Sequence, residues 1–304
     1  MVLNSKREER AQVDRVPLSP KLARLVPTPL PAPLIEPGNG RLPVLLSVPH
    51  AGRVYPDWLT DMARGGRKAL ETLEDPLVDQ LAAAAIKSGI AAVVAQAPRA
   101  AIDCNRGEDE IDPAVIRTAM MGRPTARARG GLGIIPARTA GQGSLWLHPI
   151  GQFDLDSRLD AAHRPYHRAI HRDLERMRHE FGCALLIDCH SMPPPADGIP
   201  PIVIGDRFGR TAGRSLTADA LAIVRSAGFD VALNDPFAGG HVIERHGNPR
   251  RSIHALQVEI DRRCYLDENC KPGGGFDRVA WLIETLATEL AGRLLDRQLP
   301  TAAE

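Results

Sequence analysis

Asp188, Cys189, His190 and Ser191 stand side by side where the apolar run CALLI, residues 183–187, ends. A short apolar run of this kind reads as a buried strand of an α/β sheet. Its carboxyl end is where open α/β sheets place their ligands. Three chemistries fit these residues: a Cys189 or Ser191 nucleophile with a histidine base, a metal ligand at His190, or a histidine satisfied within the core. Neighbours along a strand point to opposite faces, so Cys189 and His190 are poorly placed to share a proton. Ser191 lacks the G-x-S-x-G turn that exposes a hydrolase serine. Cys189 therefore reads as a small core residue, while Asp188 and His190 share a face.

The metal reading needs three protein ligands and an open position. A second apolar strand, LPVLLSV at 42–48, runs directly into Pro49, His50, Ala51 and Gly52, so two strands end in a histidine. The carboxylate comes from LEDPLVDQLAAAAIKSG, as Asp75 or, less favourably, Asp79. Two histidines and one carboxylate suit catalytic zinc, with another divalent metal as the alternative. Glu259 lies inside the apolar strand ALQVEI, residues 255–260. An acid there costs free energy unless it is paired or used, and use as a general base explains it. Arg106, with Arg99, offers a clamp for a substrate carboxylate.

The elements that must position these residues alternate between strand and helix. Further strands are expected at 90–96, 201–206 and 230–234. Asp75 before Pro76 predicts the N-cap of a helix that Gly89 ends. Asp75 thus has a capping account as well as a catalytic one. A helix is expected from Ser157 to Phe181, broken or kinked at Pro165. Its His163, His167, His171 and His179 recur at helical spacing amid charged residues, which favours a solvated face for most of them; Tyr166 and His167 are kept as contacts near the site. Helices are also expected at 211–227 and 277–296. Residues 122–149, rich in Gly, Arg and Pro, read as an irregular loop over the mouth of the site. Residues 237–247 read as a Gly-hinged loop or hairpin bearing His241, Glu244 and His246. The expected whole is a mobile arm over 1–25 and one α/β domain over 26–300, with a mixed, mostly parallel sheet flanked by helices.

Composition narrows the function classes. Thirty-eight Lys and Arg nearly balance 37 Asp and Glu, which gives no general case for nucleic acid or a membrane surface. The five cysteines are odd in number and none forms a CxxC pair, which argues against a disulfide framework. The amino-terminal segment has no apolar stretch of the secretory kind, and other apolar runs are too short to span a bilayer. A cytoplasmic enzyme of a small-molecule substrate is the expectation.

Taken in order, SVPHAG, EDPLVD, PRAAIDCNR, LLIDCHSMP, IGDRFG, PFAGGH and ALQVEIDRRCYLDE resemble the motif set of the N-formylglutamate amidohydrolase family, from about Leu42 to Glu268. The resemblance implies a fold similar to the zinc carboxypeptidases and aspartoacylase-type deacylases. It implies hydrolysis of N-formyl-L-glutamate to formate and glutamate in histidine degradation. It makes His50, Asp75 and His190 metal ligands and Glu259 the base that takes the proton of the attacking water. Asp103-Cys104-Asn105-Arg106 resembles the Asp-Leu-Asn-Arg of the deacylases, which assigns the α-carboxylate to Asn105 and Arg106. His241 stands after two glycines where the family pattern suggests Tyr, and His246-Gly247 where it usually has His-Tyr-Gly; both changes are expected to border the substrate pocket. A hydrolase of another N-acyl amino acid or small peptide remains a second reading. A non-catalytic binding protein on the same scaffold is a third, and it gives Glu259 no purpose.

Overall fold

The computed structural model of the protein describes residues 28–117, 125–139, 142–195 and 198–298. The arm expected over 1–25 lies outside them. Seven strands make the central sheet: β1 (Leu34–Glu36), β2 (Val44–Val48), β3 (Ala91–Val94), β4 (Ala184–Met192), β5 (Ile202–Gly205), β6 (Val231–Leu233) and β7 (Ile253–Asp261). Their order is β1-β3-β2-β4-β7-β5-β6. Strands β3, β2, β4 and β7 run parallel, β5 is antiparallel to β7, and β1 is antiparallel to β3. This is the mixed, mostly parallel sheet that the alternation of elements implies. Strand β1 is an addition. Pro33 and Pro37 leave it three residues, too few for a period, and confine it to the edge.

Helices α1 (Val78–Lys87), α3 (Arg214–Ser226) and α5 (Phe276–Asp296) cover one face; α2 (Arg164–Phe181) and α4 (His241–His246) cover the other. Alternation along the strands sorts the core accordingly. Leu46, Val48, Ile187, Cys189 and Val258 pack with α1 and α5. Leu45, Leu186 and Ala255 pack with Tyr166, Ile170 and Leu174 of α2. Each buried Leu or Ile is worth roughly 2 kcal/mol. A one-residue slip of β4 would exchange the two sets, so the core fixes which way Asp188 and His190 point. A third cluster, including Leu59, Leu70, Ile102 and Ile134, anchors the loops beside the sheet. Among the described residues, no helix is long and apolar enough to cross a membrane.

Several local readings are corrected. Asp75 caps no helix: α1 begins at Val78 after Leu77, which is left-handed at φ 60°. Asp79, in the first turn of α1, holds both guanidinium nitrogens of Arg53 at 2.9 and 2.6 Å, and so is spent outside the site. The helix expected from Ser157 starts at Gln152. A π turn at Leu159–His163 then leads into α2, which ends at Phe181. Pro165, with no N–H to give, falls just after that wide turn, where the hydrogen-bond register changes without a break. His163, in the π turn, and His167, in α2, are buried rather than solvated. Residues 126–129 form one short helical turn within the loop read as irregular. Residues 241–246 form helix α4 rather than a hairpin. A Cβ on Gly240 would strike the Asn105 side chain, and the bare glycine lets Asn105 Oδ1 accept the Val242 N–H of the first turn at 2.8 Å.

Candidate metal centre and substrate cavity

Register sets the polar rows. Ser47, Asp188 and Gln257 are neighbours across β2, β4 and β7, and His190 and Glu259 are neighbours one step further along. All alternate with the cluster packed on α1 and α5, so they face the side of α2 and α4 at the carboxyl ends of the parallel strands.

His50 follows β2, and its carbonyl accepts the Asp75 N–H at 3.0 Å, which draws the two segments together. Asp75 Oδ2 lies 3.2 Å from His50 Nδ1 and 2.9 Å from His190 Nδ1. The two rings meet edge-on with centroids 4.7 Å apart. One donor atom from each of His50, Asp75 and His190 lies within 4.8 Å of the others. The far nitrogens are anchored. His50 Nε2 is 2.7 Å from Asp103 Oδ1, and His190 Nε2 is 2.9 Å from Asp188 Oδ2. Asn105 Nδ2 also approaches His190 Nε2 at 3.0 Å, but the charged Asp188 is the stronger partner for that proton. A carboxylate holding Nε2–H fixes the tautomer whose Nδ1 lone pair points inward, the arrangement that orients histidine ligands at metal sites.

Asp188 is itself held. Ser47 donates to Asp188 Oδ1 at 2.6 Å, and Tyr166 therefore donates to Ser47 at 2.6 Å. Burial drives the Asp75 carboxyl upward, but hydrogen bonds from His190 and His50 outweigh it and hold the group well below the usual carboxylate range. Asp103 behaves likewise, with His50, Arg99 and Arg106 overcoming its burial. Burial opposes protonation of His190, yet Asp188 and Asp75 raise it well above an ordinary histidine. Three buried carboxylates thus surround two imidazoles. A divalent cation fits both the donor types and the charge.

Glu259 sits beside this donor set. Its Oε1 accepts from Gln257 Nε2 at 2.8 Å, and burial pushes its carboxyl up to about 7 against the pull of His190. Donor set and Glu259 open into a cavity of about 470 Å³ whose walls carry Arg99, Arg106, Arg127 and Arg262. Arg99 Nε donates to Asp103 Oδ2 at 2.9 Å. Arg106 donates to the carbonyls of Leu132 and Asn105, each at 2.8 Å. Burial, reinforced by the like charges of Arg99 and Arg127, lowers the hold of Arg106 on its proton. Arg262 donates to the Glu74 carbonyl at 2.5 Å and lies 3.5 Å from Asp75 Oδ1.

The structure therefore brings His50, Asp75, His190, Glu259, Arg99, Asn105 and Arg106 to one place. It does not bring His241 there. That ring lies behind Asn105, 5.3 Å from the His167 ring and 6.4 Å from the His163 ring, outside the cavity wall. With His246 they form a cluster under the Asp103–Arg106 segment, buried except for the half-buried His241. His163 Nε2 donates to the Arg106 carbonyl at 2.8 Å and His167 Nε2 to the Cys104 carbonyl at 3.0 Å. Burial lowers all four below an ordinary histidine, His241 to about 4 and His246 to about 3. The nucleophile reading also falls. Cys189 packs on the opposite face, and burial pushes its thiol far up. Ser191 meets Arg262 Nε at 3.3 Å rather than a base. Sequence reasoning passed over Ser47, three residues before His50, and Gln257, two residues before Glu259 on the same strand face. It also passed over Asp103 as the partner of His50, and over Arg127 and Arg262.

A histidine and carboxylate donor set, an acid with a free oxygen and an arginine-lined cavity together mark an α/β hydrolase of small anionic substrates. The chain belongs to the N-formylglutamate amidohydrolase family, whose model matches residues 42–266. It is 32% identical over 240 residues to an N-formylglutamate deformylase of Pseudomonas putida, covering 76% of this chain and 84% of that one. Identity to the Pseudomonas aeruginosa N-formylglutamate deformylase is 30% over 246 residues, with the same coverages of 76% and 84%. The crystal structure of an N-formylglutamate amidohydrolase from Ralstonia eutropha JMP134 superposes with a TM-score of 0.80 at 28% identity, over 88% of this chain and 99% of that one.

Proposed function

We propose that the protein hydrolyses N-formyl-L-glutamate to formate and L-glutamate at a divalent metal held by His50, Asp75 and His190. The observation that carries this reading is the convergence of two Nδ1 atoms and one carboxylate oxygen within 4.8 Å, beside Glu259 and under an arginine-rich wall. Relatives named as N-formylglutamate deformylases support the substrate. Zinc is the ion that this donor set suits. When bound, it supplies Lewis acidity toward a carbonyl oxygen and toward water.

The chain's own residues do the rest. Arg106, with Asn105 beside it, binds the α-carboxylate and so places the formyl amide over the donor set. Arg99, tied to Asp103, keeps that carboxylate ionised and His50 oriented. Glu259 in its ionised form takes a proton from the attacking water and returns it to the amide nitrogen as the C–N bond breaks. Gln257 holds one oxygen of Glu259 and leaves the other for this transfer. Dialysis against a chelator followed by zinc add-back, with formate release as the readout, tests the proposal. Activity indifferent to the metal would sink the mechanism. Turnover of other N-acyl amino acids without that of N-formylglutamate would sink the substrate.

A further inference from the structure

Four guanidinium groups line the cavity, and two of them are already balanced. Arg99 is ion-paired with Asp103 at 2.9 Å, and Arg262 lies 3.5 Å from Asp75. Arg106 bonds to backbone carbonyls alone. The Arg127 side chain has neither ion pair nor hydrogen bond among the described residues.

The backbone that carries Arg127 is nonetheless fixed. Thr125 Oγ1 accepts the Ala128 N–H at 3.1 Å and donates to Glu110 at 3.1 Å. Ala128 is fully buried. Ile134 N–H donates to the Glu110 carbonyl at 2.7 Å, and Asp103 N–H donates to the Ile134 carbonyl at 2.8 Å. Arg106 Nε reaches back to Leu132 in the same segment. The loop bearing Arg127 is thus stitched to the segment bearing Asn105 and Arg106. An exposed arginine on a fixed stretch of backbone at a cavity wall, near a like charge, is placed where an arriving anion relieves the repulsion. Two unpaired cations match two carboxylates.

We infer that Arg127 reads the side-chain carboxylate of the substrate while Arg106 takes the α-carboxylate. This rests on the deformylation reading and deepens it, since it restricts the site to N-acyl amino acids with acidic side chains. Arg127 then sets specificity through the distal charge rather than through the reacting bond.

The test compares binding of glutarate, with two carboxylates, and butyrate, with one, to the wild-type protein and to Arg127→Met. The glutarate-to-butyrate affinity ratio should fall by about 10- to 100-fold, the worth of one charge-assisted pair. Arg127→Lys should keep part of the preference, having the charge without the planar fork. An unchanged ratio in Arg127→Met, with an unaltered melting temperature, overturns the inference. Formate release from N-formylglutamate by the wild-type protein is measured alongside. Its absence overturns the deformylation reading, while the glutarate comparison still decides the role of Arg127.

Discussion

Replacing Asp188 by Asn separates the charge behind His190 from the hydrogen bonds that carry it. Asp188 is fully buried, with Oδ1 accepting from Ser47 at 2.6 Å and Oδ2 2.9 Å from His190 Nε2. The amide keeps its bond to His190 through its oxygen by turning Nδ2 toward Ser47. The Ser47 hydroxyl then accepts from the amide and donates to Tyr166. The three contacts survive, with the Tyr166 hydroxyl turned from donor to acceptor, and the negative charge is lost. A bond to a charged group is worth about 1.5–3 kcal/mol against about 1 for a neutral one, so the loss is about 1 kcal/mol. Removing a partner of a metal-ligating histidine costs about 10- to 100-fold in metal affinity, and this conservative change should fall near the tenfold end. Asp188→Ala is harsher, because Ser47 and His190 Nε2 then lose their partner, at about 1–3 kcal/mol for each buried group. Chelator-competition titration of zinc should rank wild type above Asn above Ala, and the metal-free Ala variant should also melt lowest. Equal zinc affinity for wild type and Asp188→Asn, or for the Asn and Ala variants, would refute the assignment of Asp188 as the group that orients His190.

Glu259→Gln should lower turnover by about 10²- to 10⁴-fold with zinc stoichiometry unchanged, and near-wild-type turnover would remove Glu259 as the base. Asp79→Asn should leave zinc affinity untouched and cost no more than about 1 kcal/mol, because the Arg53 pair is part-exposed; lost zinc would return Asp79 to the site. Burial holds His246 at about 3, below the roughly 6.5 of an unfolded chain. The unfolded state therefore takes the proton first. This contribution is intact above about 6.5 and is lost as pH falls toward the folded value, by up to about 1.4 kcal/mol per unit. His246→Gln should flatten the decline of the urea midpoint over that window by one proton's worth; an unchanged slope would show that His246 does not titrate against its burial.

The parts of the site legible in the sequence are those where chemistry interrupts a period. His190, Asp188 and Glu259 stand out because polar groups in apolar strands must be explained, and strand alternation assigns their common face. Asp75 supports a cap and a ligand equally in the sequence, because capping and ligation ask for the same carboxylate at the same kind of chain reversal, and of the two readings the cap is the one that fails. His163 reads as part of a solvated face, since helical spacing amid charged residues does not announce its burial in the π turn, whereas His167 is kept near the site by its place just after Pro165. Helix α4 spans six residues, too few to show a period, so its glycines read as a hinge and His241 was carried to the wrong side of Asn105. Arg127 and Arg262 left no trace at all. Their side chains reach the cavity from single helical turns, too short to show a period and placed by tertiary contacts rather than by residue spacing.

Those same contacts explain why the buried histidines are kept. The Asp103–Arg106 segment orients His50 through Asp103 and holds Asn105 and Arg106 at the cavity, so a small shift in it would disturb donor set and substrate clamp together. It has no strand to fix it. Its carbonyls at 104 and 106 are instead taken by His167 of α2 and His163 of the π turn before it, and Asn105 is taken by the first turn of α4. A histidine suits this task because it donates from a rigid ring reaching across from a packed helix. The cost is a set of imidazoles that must stay neutral, with His163 Nδ1 and His241 Nε2 buried and without hydrogen-bond partners among the described residues. Leaving such groups unpaired costs about 1–3 kcal/mol each. That expense falls on the helix pair that frames the site, where it fixes position, and it makes the segment under the cavity sensitive to acid.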